Sequence, residues 1–173
     1  MPERAAKFTV NAPPHELWKF LRDFEALCTC IPGVERIRLV DARTAELTVK
    51  EKVGVVPLIV NLTARIDSEE PPRRLHATAS AEHLTMAIDV TLRPSGSATE
   101  LHSVFNVRGE GPLKPVVDRL FERRATERTA QFAEALEKRF GARPSEVPRR
   151  ESWLARVWRR LRRPFSGPSP PSS

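Results

Sequence analysis

The residues that could do acid–base, metal or thiol chemistry are few, and their spacing suits none of these. No two histidines stand at the four-residue spacing of a helical metal site. They are His15, His76, His83 and His102. The two cysteines, Cys28 and Cys30, are one residue apart, which suits neither a mutual disulfide nor a redox pair. We expect Cys30 to be a buried, inert thiol. The sequence predicts no catalytic residue, no metal site and no tightly bound cofactor.

One carboxylate stands where a strand pattern predicts an inward side chain. Glu51 lies between Val49 and Val53 in an alternating segment. A carboxylate in an apolar interior needs a partner or takes up a proton. Protonated Glu51 could hydrogen-bond the polar head of a ligand, such as a quinone carbonyl. The default alternative is that Glu51 lies in water at a cavity mouth, or that a β-bulge turns it outward.

Seven segments alternate apolar and polar residues and predict strands. They cover 6–12, a segment with Ile37 and Leu39 that ends near Asp41, 44–53, 58–66, 75–81, 84–92 and 101–107. Two short helices are predicted between the first two strands, at 15–24 and 25–30. The later connections are short, so the strands should form an antiparallel meander with one apolar face.

Residues 112–140 predict one long amphipathic helix. Pro112 and Pro115 suit its first turn, and Gly141 and Pro144 stop it. The apolar stripe consists of Val117, Leu120, Phe121, Ala125, Thr129, Phe132, Leu136 and Phe140. The opposite face carries Arg119, Glu122, Arg123, Glu127, Glu134 and Lys138. This helix is the one element large enough to cover the sheet.

The fold class is therefore α+β, with a curved sheet wrapped on a long C-terminal helix over residues 1–141. Four segments carry a family resemblance: Cys30-Ile31-Pro32-Gly33, Val49-Lys50-Glu51-Lys52-Val53-Gly54, Pro71-Pro72 and Ala87-Ile88-Asp89-Val90-Thr91-Leu92. With this order of elements, the chain resembles the family of the G subunit of carbon monoxide dehydrogenase. That family is part of the START-related, birch-pollen-allergen-like helix-grip superfamily.

The resemblance implies a hydrophobic cavity between sheet and helix. It also implies association with a molybdenum hydroxylase of the carbon monoxide dehydrogenase type, held at the membrane or linked to the quinone pool. The chain departs from the family pattern at Ala81-Glu82-His83, where glycines are common, and at Glu51, where a valine is usual.

Small residues on the predicted inner face bear on whether the interior contains a cavity or is close-packed. Ala77, Ala79 and Ala81 face the small middle of the helix, so volume stays unfilled unless the sheet curves inward. A cavity would suit a flat or chain-like apolar molecule, and a filled core would bind none. The predicted lining is Leu47, Val49, Glu51, Val60, Leu62, Ala77, Ala79, Met86, Ile88, Ser103, Phe105, Phe121, Ala125, Thr129 and Phe132.

The positive charge is concentrated at the C-terminus. The net charge is +7, and residues 141–173 hold eight Arg and two Glu, which leaves +1 for the rest. We expect a linker at 142–150, a basic amphipathic helix at 151–165 and a disordered Pro/Ser tail at 166–173. The predicted membrane-binding residues are Trp153, Leu154, Val157, Trp158, Leu161, Arg156, Arg159, Arg160, Arg162 and Arg163. Such a helix fits an anionic membrane surface; docking on protein or nucleic acid are alternatives.

The function predicted from these features is non-catalytic binding of a hydrophobic ligand, a quinone or another isoprenoid lipid. The protein would recruit or couple a carbon monoxide dehydrogenase-type molybdenum hydroxylase to the membrane. The alternatives are a cyclase- or aromatase-like enzyme, for which Glu51 is the one acid–base candidate, and a structural adaptor without ligand. No signal peptide or apolar run of membrane-spanning length is present, so we expect a cytoplasmic protein, peripheral at the inner face of the cell membrane.

Overall fold

A computed structural model describes residues 3–141 of the chain. The elements are β1 (Glu3–Val10), α1 (Pro14–Arg22), α2 (Phe24–Cys30), β2 (Val34–Leu39), β3 (Thr44–Val53), β4 (Val56–Glu70), β5 (Arg74–Ala81), β6 (Leu84–Ser95), β7 (Ala98–Gly109) and α3 (Lys114–Phe140). A single 3₁₀ turn, Gly111–Leu113, precedes α3. The predicted fold class is confirmed.

The seven strands form one antiparallel sheet in the order β1-β7-β6-β5-β4-β3-β2. The two short helices carry the chain from β1 at one edge to β2 at the other. Because neighbouring strands are antiparallel, the β3–β4 turn, the β5–β6 turn and the end of β7 all lie at one end of the sheet. We call this end the open end, and the opposite end, which carries α1 and α2, the closed end.

Some predicted boundaries differ from those observed. β1 begins at Glu3, before the predicted start, and α3 begins at Lys114, after a 3₁₀ turn. β6 extends to Ser95, so the chain turns at Gly96 and Ser97. The extra residues of β1 (3–5) and β6 (93–95) are exposed. Sheet hydrogen bonds hold them in the strand, and they show no alternation of apolar and polar residues by which a strand could be predicted.

The buried core fills the closed end. Its members are Phe8, Val10, Ala12, Leu17, Trp18, Phe20, Leu21, Cys30, Ile66, Leu75, Val90, Leu92, Leu101 and Leu136. Edge-to-face ring contacts fix the last turns of α3 here, with Phe132 against Phe8 at 5.9 Å and Phe140 against Phe20 at 5.3 Å between centroids. All six charged residues predicted on the outer face of α3 are exposed.

Candidate functional site

An open pocket of about 350 Å³ lies between the start of β2, the last residues of β3 and the middle of α3. Its lining is mostly polar and charged. The lining residues are Gly33, Val34, Glu35, Lys50, Glu51, Lys52, Arg124 and Arg128. Four cationic and two acidic residues therefore line this pocket, with Glu51 on the inner face of β3 and Lys50 and Lys52 on its outer face.

Gly33 lets the loop before β2 lie close to β3 at the rim of this pocket. Its φ of +87° is one that side-chain-bearing residues rarely adopt. The backbone N–H of Lys50 donates to the Gly33 carbonyl at 2.8 Å, which joins the loop before β2 to β3. A Cβ on Gly33 would lie 2.9 Å from the Lys50 carbonyl oxygen and 3.5 Å from both terminal nitrogens of Arg128. Gly33, the last residue of the Cys-Ile-Pro-Gly segment, thus allows the close approach to the Lys50 carbonyl, whereas the Arg128 guanidinium lies at an ordinary contact distance.

Glu51 and Arg128 form an ion pair across the pocket, from β3 to α3. The register of β3 with β4 is unbroken around Glu51, so no bulge turns its side chain outward. The side chains are 17% and 29% exposed, respectively. Glu51 Oε1 accepts from Arg128 Nη2, but Glu51 Oε2 is buried and has no hydrogen-bond partner. A buried acceptor left unpaired is unusual, and a bound polar group would satisfy it.

Sequence reasoning missed Arg128 as a site residue. A signal was present, since Arg128 stands four residues before Phe132 and seven after Phe121, which places it on the inward stripe. Arg124 precedes it by one turn and lines the same pocket. Arg124 also pairs with Glu127 at 2.8 Å. Glu51 is the one predicted residue that lines this pocket.

The other predicted cavity residues lie on the inner face of the sheet or on α3. Only Ala79 and Ser103 are buried; the remainder are partly exposed. Ala77, Ile88 and Phe132 pack against the core. The partly exposed residues outside that core cluster and its margin are Leu47, Val49, Val60, Leu62, Met86, Phe105, Phe121, Ala125 and Thr129. Their role in binding remains a prediction.

Ser103 is the most buried of the predicted polar contacts. Its side chain is 3% exposed, and its Oγ has no hydrogen-bond partner. Ser103 pairs across the sheet with Val90 and Ala6, among apolar neighbours of the inner face. Within residues 3–141, four buried side-chain oxygens have no hydrogen-bond partner, on Ser103, Glu51, Asp67 and Glu69, and of these Glu69 Oε2 is ion-paired with Arg22.

The helix leaves the partly exposed inner face uncovered. α3 makes its main approach to β7 and β1, at one edge of the sheet. The apolar residues of β3 and β4 lie toward the other edge. The core is therefore closed by α1, α2 and the end of α3, while the inner face toward the open end keeps contact with solvent.

The histidines and cysteines contribute no further site. His76 pairs with Asp89 at 2.7 Å on the outer face of β5 and β6. Both cysteines are buried and free, and burial raises the pKa of the Cys28 thiol to about 11. Within residues 3–141, no group of three or more His, Cys, Asp or Glu could hold a metal ion. No helix in that range is long and apolar enough to cross a membrane. The predictions for 142–173, including all ten membrane-binding residues, lie outside the described residues.

Solved structures of similar shape show which fold this is. A conserved protein from Geobacillus kaustophilus has a TM-score of 0.68 and 15% identity, over 80% of this chain and 95% of that chain. A START superfamily protein from Mycobacterium smegmatis has a TM-score of 0.64 and 18% identity, over 80% and 96%. A protein from Thermus thermophilus has a TM-score of 0.62 and 17% identity, over 80% and 97%. The fold is the START-like helix-grip fold.

The sequence then assigns the chain to one family. The family model for the G subunit of carbon monoxide dehydrogenase (CoxG) matches residues 6–141. The chain belongs to this family, as the resemblance predicted. A search of curated proteins gave no match.

Proposed function

We propose that the protein binds a hydrophobic molecule between the sheet and α3 and brings it, with a carbon monoxide dehydrogenase-type enzyme, to the membrane. The ligand class proposed is a quinone or another isoprenoid lipid. The observation that carries the proposal is the partly exposed apolar inner face of β3, β4, β6 and β7, toward the open end. Apolar surface left open within a fold is a common mark of a ligand site.

The polar groups beside this surface suit a ligand with a small polar head. An arginine donates up to five hydrogen bonds, and Arg128 is shown to use one on Glu51. A ligand carbonyl near the pocket could accept from Arg128, and a hydroxyl could donate to Glu51 Oε2. Ser103 offers a second contact deeper in the inner face. The ligand tail would then lie along Leu62, Met86 and Phe105.

Family membership supports the enzyme partner, and the C-terminal sequence supports the membrane. A helix at 151–165 with two Trp and several Arg would lie in the headgroup region of an anionic bilayer. Each Arg near such a surface adds about 1 kcal/mol at low salt. A Trp153→Ala/Trp158→Ala variant of the full chain should therefore sediment less with anionic vesicles than the unaltered chain does.

The ligand is tested by mass spectrometry of an organic extract from protein incubated with native membranes. Ala125→Phe should fill the space below α3, because Ala125 is half-buried on the inward stripe. Ala130→Phe is the matched control, because Ala130 is exposed on the same helix. We expect a stoichiometric isoprenoid in the unaltered chain and in Ala130→Phe, and its loss in Ala125→Phe.

The competing functions give different results in the same experiment. Empty extracts from all three proteins, together with co-purification of the enzyme, would identify a structural adaptor. A chemically altered ligand that depends on Glu51, and is lost in Glu51→Gln while binding persists, would identify an enzyme. Glu51 is held by a guanidinium from α3, which favours a binding role over proton transfer.

A further inference from the structure

The β3–β4 hairpin projects beyond the strands on either side of it. Pairing of β4 with β5 begins at Thr63, and pairing of β3 with β2 stops at Val49. One further bond joins Lys50 to Gly33. Apart from that bond, residues 50–53 and 56–59 pair only with each other in the described part of the chain, as a two-stranded ribbon. At about 3.3 Å per residue, this ribbon (residues 50–59) projects by roughly 13 Å.

The tip of the ribbon is apolar and exposed. Val55 in the turn is 95% exposed, and Val56 and Ile59 are 61% and 60% exposed. Val56 has inward parity and Ile59 has outward parity, so apolar side chains stand on both faces as well as at the turn. A two-stranded ribbon is marginally stable alone in water, and an exposed apolar edge invites association. The tip therefore needs an apolar partner.

The charges around the ribbon indicate which partner. Lys50 and Lys52 lie on its outer face, set back from the turn by one to three residue pairs. Lys52 has no ion-pair partner in the part of the chain that the structure describes. Residues 52–66 contain no Asp or Glu. In an anionic bilayer, the narrow apolar tip would lie in the hydrocarbon layer, and the lysines behind it would lie among the headgroups.

A protein partner fits this surface less well. A flat partner covers one face of a ribbon, whereas the apolar residues here surround the tip. A second exposed apolar pair, Leu113 and Val116 at the start of α3, lies at the same open end of the sheet. The ribbon tip and this pair are two separate apolar patches at one end of the domain, and a flat lipid surface could contact both at once.

We propose that the ribbon tip inserts into the interface of an anionic lipid bilayer, so that the open end of the sheet faces the membrane. Glu51, at the base of the ribbon, is bonded to Arg128 of α3, so the ribbon is also one wall of the pocket. Insertion would place the pocket opening beside the lipids from which an apolar ligand enters. Ribbon insertion thus deepens the proposed function and rests on it for the identity of the cargo, but it does not depend on the C-terminal residues.

The test places an environment-sensitive fluorophore on the full chain at Val55→Cys. Ser97→Cys is the matched control, exposed in the turn at the closed end. Cys28 and Cys30 are both 7% exposed and should label slowly in the folded protein. The vesicles contain phosphatidylcholine and phosphatidylglycerol, about three to one. We expect a blue shift, protection from iodide and quenching by brominated lipid at position 55, and none of these at position 97.

Two results would overturn the ribbon proposal and leave the ligand proposal standing. In one, the chain sediments with vesicles while the label at 55 remains as open to iodide as before. In the other, the label at 55 shifts without vesicles and in step with protein concentration, which would identify a second copy as the partner. The ligand proposal is contradicted by a different result, namely organic extracts that contain no ligand.

A second pair of variants measures the strength of the contact. Val55→Asp should weaken vesicle partitioning about tenfold, because a valine leaves the apolar layer and a negative charge is added. Ser97→Asp adds the same charge at the closed end and should leave partitioning within about twofold. Equal partitioning of Val55→Asp and the unaltered chain would contradict the proposal.

Discussion

Gly33 acts through two separate constraints, a backbone conformation and a close contact. Its φ is +87°, and a Cβ there would meet the Lys50 carbonyl at 2.9 Å. Gly54 has φ +65° but no atom within 4 Å of a built Cβ. Substitutions at the two glycines therefore distinguish the free-energy cost of the left-handed conformation from the cost of the close contact.

We therefore predict that Gly54→Ala lowers the free energy of unfolding by about 1–2 kcal/mol, the cost of the left-handed conformation. Gly33→Ala should lower it by at least about 1 kcal/mol more, because the loop before β2 must also move away from the Lys50 carbonyl. Urea unfolding of both variants measures the difference. Equal losses would mean that the contact at Gly33 relaxes freely.

The Cys28 thiol should react slowly in the folded protein. Burial raises its pKa from 9.0 to about 11, so the thiolate that attacks an alkylating reagent is about a hundredfold scarcer near pH 8. We predict that both cysteines resist Ellman's reagent at pH 8 and react at once in urea. Rapid reaction of one thiol without denaturant would show that α2 opens locally.

At the scale of elements, α3 is held firmly at its end and loosely at its start. Leu136 is 2% exposed in the core, whereas Val116 is 44% exposed. We predict that Leu136→Ala lowers the free energy of unfolding by about 2–4 kcal/mol, as in other buried leucine truncations. Val116→Ala should change it by less than about 0.5 kcal/mol. Urea unfolding again decides, and similar effects from both would contradict a helix that is anchored at the closed end.

The sheet and α3 could be predicted because an element buried on one side has apolar residues at regular intervals along the sequence. Alternation revealed β3 within its observed bounds, and three- and four-residue spacing revealed the inward stripe of α3. The open end could not be predicted in the same way. Arg128 lies among the stripe residues, but its charge excludes it from an apolar pattern, and its partner Glu51 is 77 residues away. Only the folded chain brings the two together.

The projection of the ribbon could not be predicted from the sequence pattern either. Val56 and Leu58 continue the alternation of β4, so nothing in the sequence separates paired strand from projecting strand. The difference lies in where β2 and β5 end. Register between strands therefore decides which apolar residues are covered and which remain exposed.

The whole molecule combines a nearly neutral START-like domain with a strongly basic C-terminal segment. The domain is closed by packing at one end and open to solvent at the other. In the proposed arrangement, the open end receives an apolar ligand, the ribbon faces the bilayer, and the basic segment adds electrostatic attraction. Each of these contributions can be removed by substitution without touching the buried core.

The central claim is that the space between sheet and α3 holds a hydrophobic ligand. The most direct test is equilibrium dialysis of a short-chain quinone against delipidated full-length protein, with Ala125→Phe and Ala130→Phe in parallel. We predict saturation at about one quinone per chain for the unaltered protein and for Ala130→Phe, and loss of binding in Ala125→Phe. Binding that is absent from the unaltered protein, or that survives equally in Ala125→Phe, would contradict the claim.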